Sequence, residues 1–233
     1  MFFDWTYLVL VMPAVIFALW ASAKVNSTYN EYQNQLNSKN ITAYQAARMV
    51  LDYNGLNEVK IERVNGNLTD HYDPKANVVR LSDSVYSSTS TAAIGIACHE
   101  VGHAIQFAED YAPAKFRMAI VPITNIGSRL ALPLILLGVV FSALSPFFSN
   151  LIYIGIGCFG LSTVFQLVTL PTEFDASNRA IYSIESNSIL VGEEVYGAKK
   201  VLNAAALTYV AALAVSLMQF LRLLLIFGGR RRS

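Results

Sequence analysis

The strongest constraint on this 233-residue chain is the recurrence of apolar runs long enough to cross a lipid bilayer. A helix rises about 1.5 Å per residue, so a hydrocarbon core of about 30 Å calls for roughly 20 mostly apolar residues. Four stretches meet that length: Trp5 to Ala23, Leu130 to Phe148, Leu151 to Leu170 and Val201 to Phe227. The first has no basic segment ahead of it, which predicts a retained anchor and not a cleaved signal peptide. The middle two contain no charged residue and are separated only by Ser149 and Asn150, a pattern that predicts a tight transmembrane hairpin. The last carries Arg222 near its end and is followed by Arg230, Arg231 and Arg232. Arg129 and Arg222 border lipid, and both read as side chains that snorkel to the interface. With 54% hydrophobic and only 14% charged residues, an ordinary soluble domain is excluded. Seventeen basic against sixteen acidic residues leave a net charge of +1, so the chain has no surplus to neutralise a phosphate backbone, and nucleic acid is excluded as a partner. Cys98 and Cys158 lie in apolar surroundings and read as small core residues, not as a disulfide framework.

These runs predict a mainly α integral membrane protein of about four transmembrane helices with a small α+β domain. The expected organisation is an anchor over 1–23, a folded domain over 24–118, a transmembrane hairpin over 119–170, a polar segment over 171–200, and a last helix with a basic tail over 201–233. Within the domain, Thr42 is placed to cap a helix whose apolar positions Ala46, Ala47, Val50 and Leu51 recur at helical spacing, with Gly55 as its stop. Glu58 to Val64 alternates like a strand, and Asn65-Gly66 predicts a hairpin turn into Asn67 to Tyr72. Asn77 to Ser82 reads as another strand, and Thr91 to Phe107 as a buried helix. Glu193 and Glu194, ahead of Lys199 and Lys200, read as a solvated helix face.

The chemistry sits in the Thr91 to Phe107 helix, where His99-Glu100-Val101-Gly102-His103 forms an HExxH pattern. Residues four apart on a helix share a face, so both imidazoles can hold one cation, while Glu100 beside them can reach a metal-activated water as general base. A catalytic zinc takes three protein ligands, and three candidates for the third are Glu109, His71 and Glu173. A continuous helix rotates Glu109 away from the metal. The hairpin returns the chain to the face it left, which favours Glu173, three residues beyond Leu170. Donors to the developing oxyanion are sought among His71, Tyr72 and Arg179, with His71 counted beside Glu100 as a catalytic candidate.

HExxH, a transmembrane hairpin and then a Glu opening a polar helix resemble the HtpX-type membrane zinc peptidases and their CAAX-processing relatives. The chain resembles more closely the YugP-like group of bacterial membrane zinc metallopeptidases, through Leu68-Thr69-Asp70-His71-Tyr72-Asp73-Pro74, Val79-Arg80-Leu81-Ser82, His99 to Gln106, and Leu170 to Ala176. The resemblance implies a zincin-like domain of gluzincin type, with one zinc ion on His99, His103 and Glu173, Glu100 as base, and an edge of the Asn77 to Ser82 strand offered to an extended substrate. HtpX-type enzymes place an Asp four residues after the ligand Glu to orient a histidine; here that position is Ser177, and the nearer carboxylate is Asp175.

The expected function is therefore that of a zinc-dependent endopeptidase of the cell membrane, multi-pass, acting on peptides or membrane proteins at or near the lipid bilayer. Two other classes compete: a catalytically inactive, peptidase-derived scaffold or zinc-binding protein, and a metal transporter. The scaffold would have lost Glu100 or a ligand, and the transporter would carry ionisable residues within the hairpin; neither is the case. Six basic residues, Lys24, Lys115, Arg117, Arg179, Lys199 and Lys200, flank the membrane ends on the domain side, against three at the C-terminus, which predicts a cytoplasmic catalytic domain.

Overall fold

A computed structural model describes residues 5–228, so the terminal arginines Arg230, Arg231 and Arg232 lie outside the described residues. The fold is mostly helical, with one small sheet. A π-helical turn, Tyr7–Val11, leads into α1 (Met12–Tyr32). There follow α2 (Ala43–Tyr53), β1 (Lys60–Val64), β2 (His71–Asp73), β3 (Val78–Ser82), the one-turn α3 (Asp83–Tyr86) and α4 (Thr91–Ala108). Three long helices complete the chain: α5 (Ala112–Phe141), α6 (Pro146–Ser186) and α7 (Glu193–Gly228). Four helices, counting the π turn with α1, are long and apolar enough to cross a membrane.

The junction of the middle two differs from the sequence expectation. Ser149 and Asn150 lie inside α6, and the chain turns at 142–145. Ser145-Pro146 explains the shift: proline is favoured at the first helical position, where its missing N–H costs no hydrogen bond.

The chain divides into two compact units. One comprises the described residues up to Trp20, Phe116–Leu170 and those from Tyr209 onward. There α5 and α6 approach closely through glycines: a Cβ on Gly138 would fall 2.8 Å from the Phe148 carbonyl oxygen, and one on Gly155 2.8 Å from that of Ala131. Arg222 is largely buried and lies over the Tyr7 ring, 5.3 Å from its centre, so its charge is met by an aromatic face and is not snorkelled to solvent.

The other unit comprises Ala21–Lys115 and Pro171–Thr208. Thr42 caps α2 in a reciprocal capping box with Gln45, and the buried stripe Ala43, Ala46, Ala47, Val50 and Leu51 faces α4. Around α4 gather Val79 and Leu81 of β3, Val85 of α3, Ala180 and Ile184 of α6, and Ala198 and Leu202 of α7. Cys98 is a free thiol in this core, and burial pushes its pKa up to about 12, so it serves packing and not chemistry.

The sheet corrects two expectations. Its order is β1-β3-β2, with β3 parallel to β1 and antiparallel to β2. Asn65-Gly66 therefore turns the chain without pairing β1 to β2, and the strand of Asn77 to Ser82 is central with no free edge. Val78, Val79, Leu81 and Ser82 are all buried, which suits a middle strand, whereas the three-residue, polar β2 suits an edge.

Candidate metal centre

α4 begins where Ser90 accepts the N–H of Ala93 as its cap, and it carries His99 and His103 on one face, as a spacing of four dictates. Their rings meet edge to face with centres 4.8 Å apart. Opposite them α6 presents Glu173, whose side chain is 3% exposed. Glu173 Oε2 stands 3.2 Å from His99 Nε2 and 3.6 Å from His103 Nε2. Among the described residues these three form the one group of metal-ligating side chains whose donor atoms lie within 4.8 Å of one another. Bonds of about 2.0–2.1 Å at tetrahedral angles separate neighbouring ligand atoms by about 3.3 Å, so the spacing and the donor types, two imidazoles and a carboxylate, fit zinc.

The close approach of α4 and α6 depends on Gly102. A Cβ there would sit 2.5 Å from the Ala176 carbonyl oxygen, so any side chain at this position would push apart the two helices that carry the three donors.

Both rings are held from behind. His99 Nδ1 lies 3.1 Å from Ser177 Oγ, and His103 Nδ1 lies 3.0 Å from Gln106 Oε1. The fully buried Gln106 donates through Nε2 to the Thr172 carbonyl at 2.7 Å and to Asp175 Oδ2 at 2.8 Å. Asp175 in turn accepts from Arg179 Nε at 2.6 Å, and Arg179 Nη1 donates to Glu109 at 2.6 Å. Burial disfavours charge on the His103 ring, but hydrogen bonding to Glu173 and the charges of Glu100 and Glu173 outweigh it and raise its pKa.

Glu100, next to His99 on the helix, is half-buried, and its Oε2 accepts the backbone N–H of Tyr72 at 3.0 Å. The Tyr72 ring packs 5.8 Å from that of Phe107, so β2 is fastened to α4 through one residue's backbone and side chain together. The structure thus brings His99, His103, Glu173 and Glu100 to one place. His71 is not in the donor group: it is exposed on β2, with Nδ1 2.9 Å from the Thr69 carbonyl and Nε2 3.4 Å from Arg80 Nη1. Nor are Arg179 and the Tyr72 hydroxyl idle, the first holding Asp175 and Glu109, the second donating to Asn77 Oδ1 at 2.9 Å. Sequence reasoning missed Gln106 and the Tyr72 N–H altogether; for Gln106 the available signal was a polar residue one turn after His103 on the buried face of an apolar helix.

Residues 7–228 match a family described as "putative neutral zinc metallopeptidase". The chain is 45% identical over 225 residues to the "Putative membrane protease YugP" of Bacillus subtilis (strain 168), an alignment covering 97% of this chain and 98% of that one. No solved structure matches the chain.

Proposed function

The chain belongs to this zinc metallopeptidase family, and from that premise we propose that it is a membrane-embedded, gluzincin-type endopeptidase that cleaves membrane or membrane-proximal proteins. The observation that carries the reading is the convergence of His99 Nε2, His103 Nε2 and a Glu173 oxygen on one point, with Glu100 alongside. These three residues would hold the zinc ion. Bound there, zinc supplies a Lewis acid that polarises a peptide carbonyl and lowers the pKa of water from about 15.7 towards 7.

The chain's own residues do the rest. Glu100 takes the proton of the attacking water and passes it to the leaving amine nitrogen, and the Tyr72 N–H holds the carboxylate toward that task. Ser177 and Gln106 orient the two rings. Both nitrogens of His71 are engaged, so we assign that residue to shaping β2 and not to the reacting atoms. Glu173 follows the last residue of its apolar run, Leu170, by only three positions, and this along-chain proximity to a span is the ground for a substrate at or near the bilayer.

The test is metal content measured beside hydrolysis. Purified protein should hold one zinc per chain and cleave membrane-anchored peptides in liposomes better than soluble casein. Glu100→Gln should keep the zinc and lose cleavage by a factor of at least about a hundred, and Glu173→Ala should lose the zinc. Stoichiometric zinc with no cleavage of any peptide library would replace this reading with that of an inactive scaffold.

A further inference from the structure

The hydrogen bonds behind His103 leave its ring no choice of tautomer. Gln106 Nε2 has two hydrogens, and both point at groups that can only accept, the Thr172 carbonyl and the Asp175 carboxylate. The amide therefore has one orientation, with Oε1 toward His103 Nδ1. An amide oxygen cannot donate, so Nδ1 must carry the hydrogen, and in the neutral ring, the form that binds a metal, it is Nε2 on the Glu173 side that holds the lone pair. Asp175 is itself held as an acceptor by the Arg179 guanidinium, which is anchored at its far side by Glu109. The direction of every hydrogen bond from Arg179 to His103 follows from a charge that cannot be titrated away.

From this chain the geometry points to Gln106 as a positioning residue that, through Asp175 and Arg179, locks His103 as the Nδ1–H tautomer and so presents Nε2 for metal binding. The inference rests on the reading of His103 as a zinc ligand. Gln106 touches no reacting atom; it acts through the ring.

The experiment compares full-length wild type, Gln106→Met and Gln106→Glu, all in detergent, using Zn²⁺ and Co²⁺ alone as probes. The Met variant fills the space but offers no acceptor to Nδ1. In the Glu variant one carboxyl oxygen accepts from Nδ1, while the other, protonated beside the Asp175 carboxylate, donates to Asp175 Oδ2, which still accepts from Arg179. The lock is thereby retained, at the loss of the bond to the Thr172 carbonyl. Two readouts are taken: the Zn²⁺ dissociation constant by chelator competition, and the exchangeable, metal-shifted N–H resonances of the ligand imidazoles in the Co²⁺ protein.

We expect Gln106→Met to weaken Zn²⁺ binding by about 10–100-fold and to lose the slowly exchanging His103 N–H signal, with that of His99, held by Ser177, unchanged. Gln106→Glu should keep the signal and bind Zn²⁺ within a few-fold of wild type. Equal Zn²⁺ affinities for wild type and Gln106→Met, or Met and Glu variants that bind equally weakly while both unfold at the wild-type temperature without metal, would overturn the lock. Failure of wild type itself to bind Zn²⁺ would overturn the reading of the metal centre, and the lock with it.

Discussion

His99 illustrates how one substitution within a known pattern is absorbed by geometry. Where HtpX-type enzymes carry Asp, Ser177 brings a hydroxyl to 3.1 Å from His99 Nδ1, so the ring is still held but by a neutral, weaker partner. Ser177→Ala should accordingly weaken zinc by about tenfold, the low end of what loss of an outer partner costs, as chelator competition would read. Glu100 depends on a backbone group that no side-chain pattern encodes. Tyr72→Pro and Tyr72→Ala both remove the ring that packs on Phe107, but only proline removes the N–H that meets Glu100. The Pro variant should turn over roughly 10–100-fold more slowly than the Ala variant, with zinc content equal in the two, because a misaimed base loses rate without losing metal. Residues whose placement follows from helical spacing, such as His99, Glu100 and His103, were legible in the chain. Gln106 and Tyr72 were not, since Gln106 is oriented by Asp175, 69 positions away, and Tyr72 meets Glu100 across 28.

Among the elements, the helices were legible and their junctions less so. Thr42, the buried stripe of α2 and Gly55, at a φ of +73°, each encode a local event and fall where the spacing predicts. The β1-β3-β2 order was not legible, because Asn65-Gly66 specifies a turn and not which strands pair across it. Pairing is decided by burial, and the most apolar strand, β3, takes the middle. The hairpin turn was encoded by Ser145-Pro146, a cap and first-turn signal more specific than the polar pair Ser149-Asn150. The contact of α4 with α6 is the element-scale device on which the metal centre rests, and Gly102 is its test. In Gly102→Ala the new methyl meets the Ala176 backbone, which cannot swing aside as a flexible side chain would. Zinc affinity should fall by at least about tenfold and the unfolding temperature should drop, although alanine favours a helix more than glycine does. Unchanged values for both in a metal-binding and thermal-unfolding assay would mean that α6 does not need this approach.

The unit that carries the metal centre is assembled from chain on either side of α5 and the apolar part of α6, with Ala180 and Ile184 of the later segment in one core with α2 and α4. If both of those helices cross the bilayer, two crossings return the chain to the side it left, so that Glu173 can join residues 70 or more positions earlier. The same count places the turn at 142–145 on the opposite side. The flanking charges predict a cytoplasmic metal centre: Lys24, Lys115, Arg117, Lys199 and Lys200 belong to or directly follow the metal-bearing unit's segments, and basic flanks tend to be retained in the cytoplasm. Single cysteines decide it, in a Cys158→Ala background with Cys98 left in place, since that thiol is buried. A membrane-impermeant maleimide added to intact cells should label Ala143→Cys, in the turn, and should label Lys75→Cys, exposed after β2, only once the membrane is permeabilised. Labelling of Lys75→Cys alone in intact cells would put the metal centre outside, and labelling of both would mean that the α5–α6 hairpin does not cross.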